Sequence, residues 1–134
     1  MIQNSGKEGQ SDRTAAVLYG SETGNAQNVA EELGSVLERL RYETSVLELN
    51  HASLVFALPS LIITSLISET ESCMQNELLR NSLIVVVLST TGQGDLPANA
   101  QTFWRKLRST RLRPGCLKSV RFATFGLGDS SYPQ

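Results

Sequence analysis

The run LIVVVL at positions 83–88 constrains the fold more than any other part of the chain. Its six consecutive apolar residues leave no polar face for water. β-Branched side chains lose rotamer freedom in a helix and pack well on a pleated surface. A strand that is apolar on both sides must be covered on both sides, the condition of a central strand in a helix-flanked parallel sheet. A second run, TAAVLY at 14–19, ends at Gly20 and has the same character. TSVLEL at 44–49 and VRFATF at 120–125 read as two further strands.

Helical spacing fills the gaps between them. Ala26, Val29, Ala30, Leu33, Leu37 and Leu40 share one face, while Gln27, Glu31, Glu32, Glu38 and Arg39 fall elsewhere, which predicts a helix over about 26–40. Asp95 and Pro97 suit a second helix start. Ala100, Phe103, Trp104 and Leu107 follow at core spacing, so both aromatics read as core. The order strand, helix, strand, strand, helix, strand has long connections between buried strands. It implies an α/β fold with a parallel sheet and right-handed crossovers.

In such sheets ligands sit beyond the carboxyl ends of the strands. Three loops rich in Gly, Ser, Thr and Asp each follow a strand, and the topology brings all three to one edge. The first is Gly20-Ser21-Glu22-Thr23-Gly24-Asn25-Ala26. Hydroxyl and amide donors there join the free N–H groups of a helix start, a combination that binds phosphate. A capped βα turn without a ligand would look the same. The triphosphate signature GxxxxGK[ST] is absent, which favours a single terminal phosphate. The second loop is Ser89-Thr90-Thr91-Gly92-Gln93-Gly94-Asp95, whose glycines let backbone approach a flat ligand. The third is Gly126-Leu127-Gly128-Asp129-Ser130-Ser131-Tyr132. It lacks the third glycine of a dinucleotide fingerprint and follows a late strand. Tyr132 at its tip can stack on a planar ring or pack on a helix.

The remaining composition narrows the class. The 134 residues fit one domain, with 40% hydrophobic and 19% charged residues. Twelve basic against thirteen acidic residues give a net charge of -1 and no reason to expect nucleic acid or a membrane surface as partner. Cys73 and Cys116 form no CxxC pair, and a lone His51 builds no metal site, so no metal is expected. Arg105, Lys106, Arg108, Arg111, Arg113 and Lys118 read as a solvated face, with docking of an acidic partner as the alternative. Residues 1–13 are polar and read as a disordered tail without a secretory signal, and the expected location is the cytoplasm.

The ordered triple GSETGNA, STTGQGDLP and FGLGDSSY resembles the FMN domain of the diflavin reductases. The wording of the second and third loops is most similar to the NADPH-dependent diflavin oxidoreductases of cytosolic iron–sulfur assembly. Cytochrome P450 reductases, sulfite reductase flavoproteins and stand-alone flavodoxins are more distant. The resemblance implies a flavodoxin-like doubly wound sheet in three αβα layers over 14–134. It implies FMN held by Ser21, Glu22, Thr23, Gly24, Asn25 and Ala26 at the phosphate. Ser89, Thr90, Thr91 and Gly92 would line one side of the flavin and ribityl chain. Leu127, Gly128, Asp129, Ser130, Ser131, Tyr132, Pro133 and Gln134 would form the other wall, with Tyr132 stacked on the ring. No residue is expected as a general acid or base, because the flavin carries the redox chemistry. In the family's full enzyme, electrons pass from NADPH through FAD and FMN to an Fe–S protein of the anamorsin type.

Two departures from the family pattern stand out. The family domain continues past the third loop with a helix, a fifth strand and a final helix, and then FAD and NADPH domains. This chain is therefore expected to lack the last strand and flanking helices and not to oxidise NADPH alone. Residues 54–73 (LVFALPSLIITSLISETESC) form an atypical apolar insertion. It reads either as translated intron sequence or as a real element covering the sheet. Two other function classes compete. A non-catalytic fragment would keep the fold and hold no flavin. A phosphoacceptor response regulator would need an acidic cluster after the first strand and an acceptor Asp after the third, and neither is present.

Overall fold

The computed structural model describes residues 13–52, 81–110, 114–115 and 117–128. The expected tail up to residue 12, the apolar insertion at 54–73, and Asp129, Ser130, Ser131, Tyr132, Pro133 and Gln134 lie outside the described residues. The elements in order are β1 (Thr14–Gly20), α1 (Asn25–Arg39), β2 (Glu43–Glu48), a one-turn 3₁₀ segment (Leu49–His51), β3 (Leu83–Ser89), α2 (Ala98–Leu107) and β4 (Phe122–Leu127). The four strands form one sheet in the order β2-β1-β3-β4, parallel throughout.

Side chains alternate between the faces of the sheet with period two. From β1 and β3, Ala15, Val17 and Val87 pack with Ala26, Ala30 and Leu37 of α1. On the opposite face, Ala16, Leu18 and Ile84 pack with Leu49, Ala52 and Ala100 of the α2 side. This division follows from handedness. The crossover from β1 to β2 steps one way across the sheet and that from β3 to β4 steps the other, so right-handed connections place α1 and α2 on opposite faces. The reversal creates a switch point between β1 and β3.

Several boundaries differ from the sequence expectation. Arg13, the last residue of the expected tail, already pairs with β2: its carbonyl accepts the Glu43 N–H at 2.8 Å. β4 runs two residues further than expected, so Gly126 and Leu127 belong to the strand and the third loop begins at Gly128. Leu127 is half-buried and packs on the α1-side core. Pro97 occupies the N-cap position of α2, outside the helix, and supplies no side-chain cap.

Trp104 corrects a core assignment. It remains 46% exposed, while Ala100 is buried and Phe103 and Leu107 are half-buried. It borders an apolar groove of about 360 Å³ between α2 and the sheet, lined also by Leu18, Leu88, Phe103, Leu107 and Phe122. The Arg108 guanidinium stands 5.9 Å from the Trp104 ring centroid, where cation and ring attract. Phe122 is 69% and Phe125 47% exposed, so both faces of β4 are open among the described residues. Among those residues no helix is long and apolar enough to cross a membrane.

Candidate functional site at the β1/β3 switch point

The site begins with a close approach of backbone. A Cβ at Gly20 would stand 2.6 Å from Leu88 Cδ1 and 2.9 Å from Ala100 Cβ. Only glycine lets the end of β1 lie this near to β3 and α2. The chain then turns into α1 through Gly24, which caps the helix with φ of 90°, a conformation that glycine adopts without steric cost. Within this turn Ser21 Oγ accepts hydrogen bonds from the N–H groups of Gly24 (2.9 Å) and Ala26 (3.3 Å). The cap of α1 thus comes from three residues before its N-cap position.

Four N–H groups remain. Those of Glu22, Thr23, Asn25 and Gln27 donate to no protein acceptor among the described residues. Thr23 and Asn25 are exposed beside them. Unpaired amides at a helix start carry partial positive charge and attract anions. This loop contains no Lys or Arg, so backbone and neutral side chains supply its donors.

The second loop is bound directly to the first. Ser89 is buried; its hydroxyl donates to the Gly20 carbonyl at 3.3 Å and lies 3.4 Å from Ser21 Oγ. Thr91 Oγ1 donates to the Glu22 carboxylate. Thr91 and Asp95 form an antiparallel bridge, each N–H donating to the other's carbonyl at 2.9 Å, which folds the intervening residues into a tight turn. The end of β4 joins through Thr90, whose N–H donates to the Leu127 carbonyl at 3.0 Å. A Cβ on Gly128 would lie 3.5 Å from Thr90 Oγ1.

The structure therefore gathers Ser21, Glu22, Thr23, Gly24, Asn25 and Ala26 with Ser89, Thr90, Thr91, Gly92, Leu127 and Gly128 at one edge of the sheet. Ser89 and Leu127 serve as supports beneath that edge, through the contacts described above. At the end of β1, Tyr19 has its phenol pKa raised, first by burial and then by the nearby charges of Glu48 and Glu31. Its hydroxyl stays protonated at neutral pH.

Two asparagines tie this edge to the rest of the fold, and neither stands out in the sequence. Asn99 Oδ1 accepts the Ser21 N–H at 2.9 Å. Asn50 Oδ1 accepts the N–H groups of Thr102 and Phe103, each at 3.1 Å, and its Nδ2 donates to the Ala98 carbonyl at 3.0 Å. The only signal available was an amide in a first helical turn and another at the end of a strand, both common placements.

A parallel β2-β1-β3-β4 sheet with donor-rich loops at its β1/β3 edge has the architecture of an FMN-binding flavodoxin domain; for this strand order the switch point is a known ligand position. The chain belongs to the flavodoxin family, whose model matches residues 17–134. Flavodoxin domains bind FMN. The chain is similar to NADPH-dependent diflavin oxidoreductase 1 of Emericella nidulans, 51% identical over 123 residues, and of Aspergillus fumigatus, 50% identical over 125. Each alignment covers 91% of this chain but 15% and 17% of the relative, so the chain spans about a sixth of the length of these curated relatives. Among solved structures, oxidised Flavodoxin 2 from Bacillus cereus matches with a TM-score of 0.59 at 23% identity, over 89% of this chain and 64% of that one. That likeness speaks to the fold.

Proposed function

We propose that this chain is the FMN-binding electron-transfer module of an NADPH-dependent diflavin reductase. The observation that carries the reading is the set of four backbone amides, at Glu22, Thr23, Asn25 and Gln27, that donate to no acceptor among the described residues, at the switch point of a flavodoxin-family sheet. These donors fit the terminal phosphate of FMN. Charge-assisted hydrogen bonds of this kind contribute about 1.5–3 kcal/mol each. Ser21, Thr23 and Asn25 add side-chain donors, and Ala26 closes the first turn. Thr90, Thr91 and Gly92 would border the ribityl chain and one edge of the flavin. Asp129, Ser130, Ser131, Tyr132, Pro133 and Gln134 would form the facing wall, with Tyr132 against the ring. Bound FMN supplies one- and two-electron redox chemistry, while the protein binds it, orients it and limits its contact with water.

In the longer protein, electrons would pass from NADPH through FAD to this module. They would then reach an Fe–S protein of the anamorsin type in cytosolic iron–sulfur cluster assembly. The similarity to diflavin oxidoreductases supports the first part. The wording of TTGQGD and GLGDSSY supports the second.

An FMN titration followed by flavin fluorescence tests the module itself. Saturable quenching that weakens in Tyr132→Ala is expected. A folded chain that leaves FMN fluorescence unchanged refutes the reading. Mixing the reduced FMN-loaded chain with an oxidised anamorsin-type protein, and in parallel with a cytochrome P450, tests the acceptor. Faster reduction of the Fe–S protein is expected, and the reverse order would reassign the module to a P450 reductase.

A further inference from the structure

We propose that Asn99, held in place by Asn50, is a positioning residue that sets the first loop for a phosphate; the proposal rests on the FMN reading above. Ser21 is the first residue after β1, and its N–H could point toward a bound anion or away from it. The Asn99 carbonyl oxygen accepts this N–H at 2.9 Å and draws it toward α2. Ser21 Oγ is then free to turn back onto Gly24 and Ala26 at 2.9 and 3.3 Å. That leaves the donors of Glu22, Thr23, Asn25 and Gln27 as the ones available to a ligand.

Asn99 can hold this position only if α2 is fixed along its own axis. Asn50, from the 3₁₀ segment after β2, provides that restraint. It engages the first turns of α2 in both senses, accepting from Thr102 and Phe103 and donating to Ala98. Ala100, one residue beyond Asn99, packs against Gly20, so α2 and the end of β1 are also in contact next to the Ser21 bond. Three segments distant in sequence thus fix the direction of one amide. Asn99 acts through Ser21 and has no part in the redox step.

The test compares FMN with riboflavin, which lacks the phosphate. Wild type, Asn99→Leu and Asn50→Ala are titrated with each, after circular dichroism has established that each variant is folded. The Ser21 amide proton is followed by NMR. Asn99→Leu is expected to weaken FMN about tenfold, the scale of one orphaned hydrogen bond, and to leave riboflavin within about twofold. The Ser21 amide resonance should move upfield. Asn50→Ala should give a smaller loss of the same kind, and Asn99→Asp, which keeps an acceptor, should restore the Ser21 shift. Equal weakening of both ligands, or of neither, overturns the positioning role while the FMN reading stands. A wild-type chain that binds neither flavin overturns both.

Discussion

The β1/β3 edge and the β4 flank belong to one sheet, yet they are stabilised in different ways. β1 has a strand on each side, a helix on each face, and buries Ala15, Ala16, Val17 and Leu18 almost completely. Its loop is bound to α2 through Asn99 and to the second loop through Ser89 and Thr91. β4 pairs only with β3 among the described residues, and its residues from Phe122 to Gly126 are exposed. Both strands are apolar in sequence. What distinguishes them is the number of neighbours, so the site's order derives from the switch point and not from strand composition.

Truncating one apolar side chain on each strand measures the difference directly. Leu18→Ala deletes a fully buried side chain and should destabilise the chain by about 3 kcal/mol. This would appear as a lower urea midpoint with an unchanged slope. Phe122→Ala removes a larger side chain, but from a position 69% exposed, and should cost less than about 0.5 kcal/mol. A comparable loss in both variants would mean that β4 is covered in solution. The two flanks would then be equivalent.

Glycine substitution probes the same contrast at backbone level. Gly20→Ala introduces a Cβ that overlaps Leu88 and Ala100 and should cost about 2 kcal/mol. Gly126→Ala meets nothing within 4 Å and should be close to neutral in the same unfolding assay. If Gly20→Ala is tolerated, α2 can withdraw from β1, and the close packing that anchors the first loop is not required.

Much of this architecture was legible because strands covered on both faces, such as β1 and β3, leave continuous apolar runs in the sequence. The meeting of the first two loops at the β1/β3 edge followed from the direction of the strands alone; of the third loop only Gly128 lies among the described residues. The exposure of Trp104 was not legible, since helical spacing identifies a face but not whether anything covers it. The start of the third loop was misplaced by two residues because Gly126 looks like a turn residue, although it pairs with Leu88 in the ladder. Asn50 and Asn99 were invisible for a different reason. Their partners, Ala98 and Ser21, lie 48 and 78 residues away, and no local pattern encodes such a bond.

Ser21 lies where the tight edge meets the proposed ligand, and its loss should have an intermediate effect. Ser21→Ala removes the acceptor for Gly24 and Ala26 N–H and should destabilise α1 by about 1 kcal/mol, a typical cap contribution. Ser21→Thr retains the hydroxyl and should recover most of the loss. If Ser21→Ala leaves the urea midpoint unchanged, water replaces the cap and the turn is held by Gly24 and Asn99 alone.

The smallest effect on stability is expected at the clasp between Glu22 and Thr91. Thr91→Val removes the hydroxyl donor, and because Glu22 is exposed the change in stability should stay within about 0.5 kcal/mol. Its effect on binding should be easier to read. Thr91 holds the Glu22 carboxylate on the second loop, and an untethered carboxylate beside the unpaired amides would compete with an anionic phosphate for the same donors. Thr91→Val should therefore weaken FMN a few-fold more than it weakens riboflavin. Glu22→Gln removes the charge and should make Thr91→Val nearly silent in the double variant. Such non-additivity in affinity, with additive stabilities, would identify the clasp as an electrostatic restraint on the site. Coupling confined to stability would reduce it to a mechanical link between two loops.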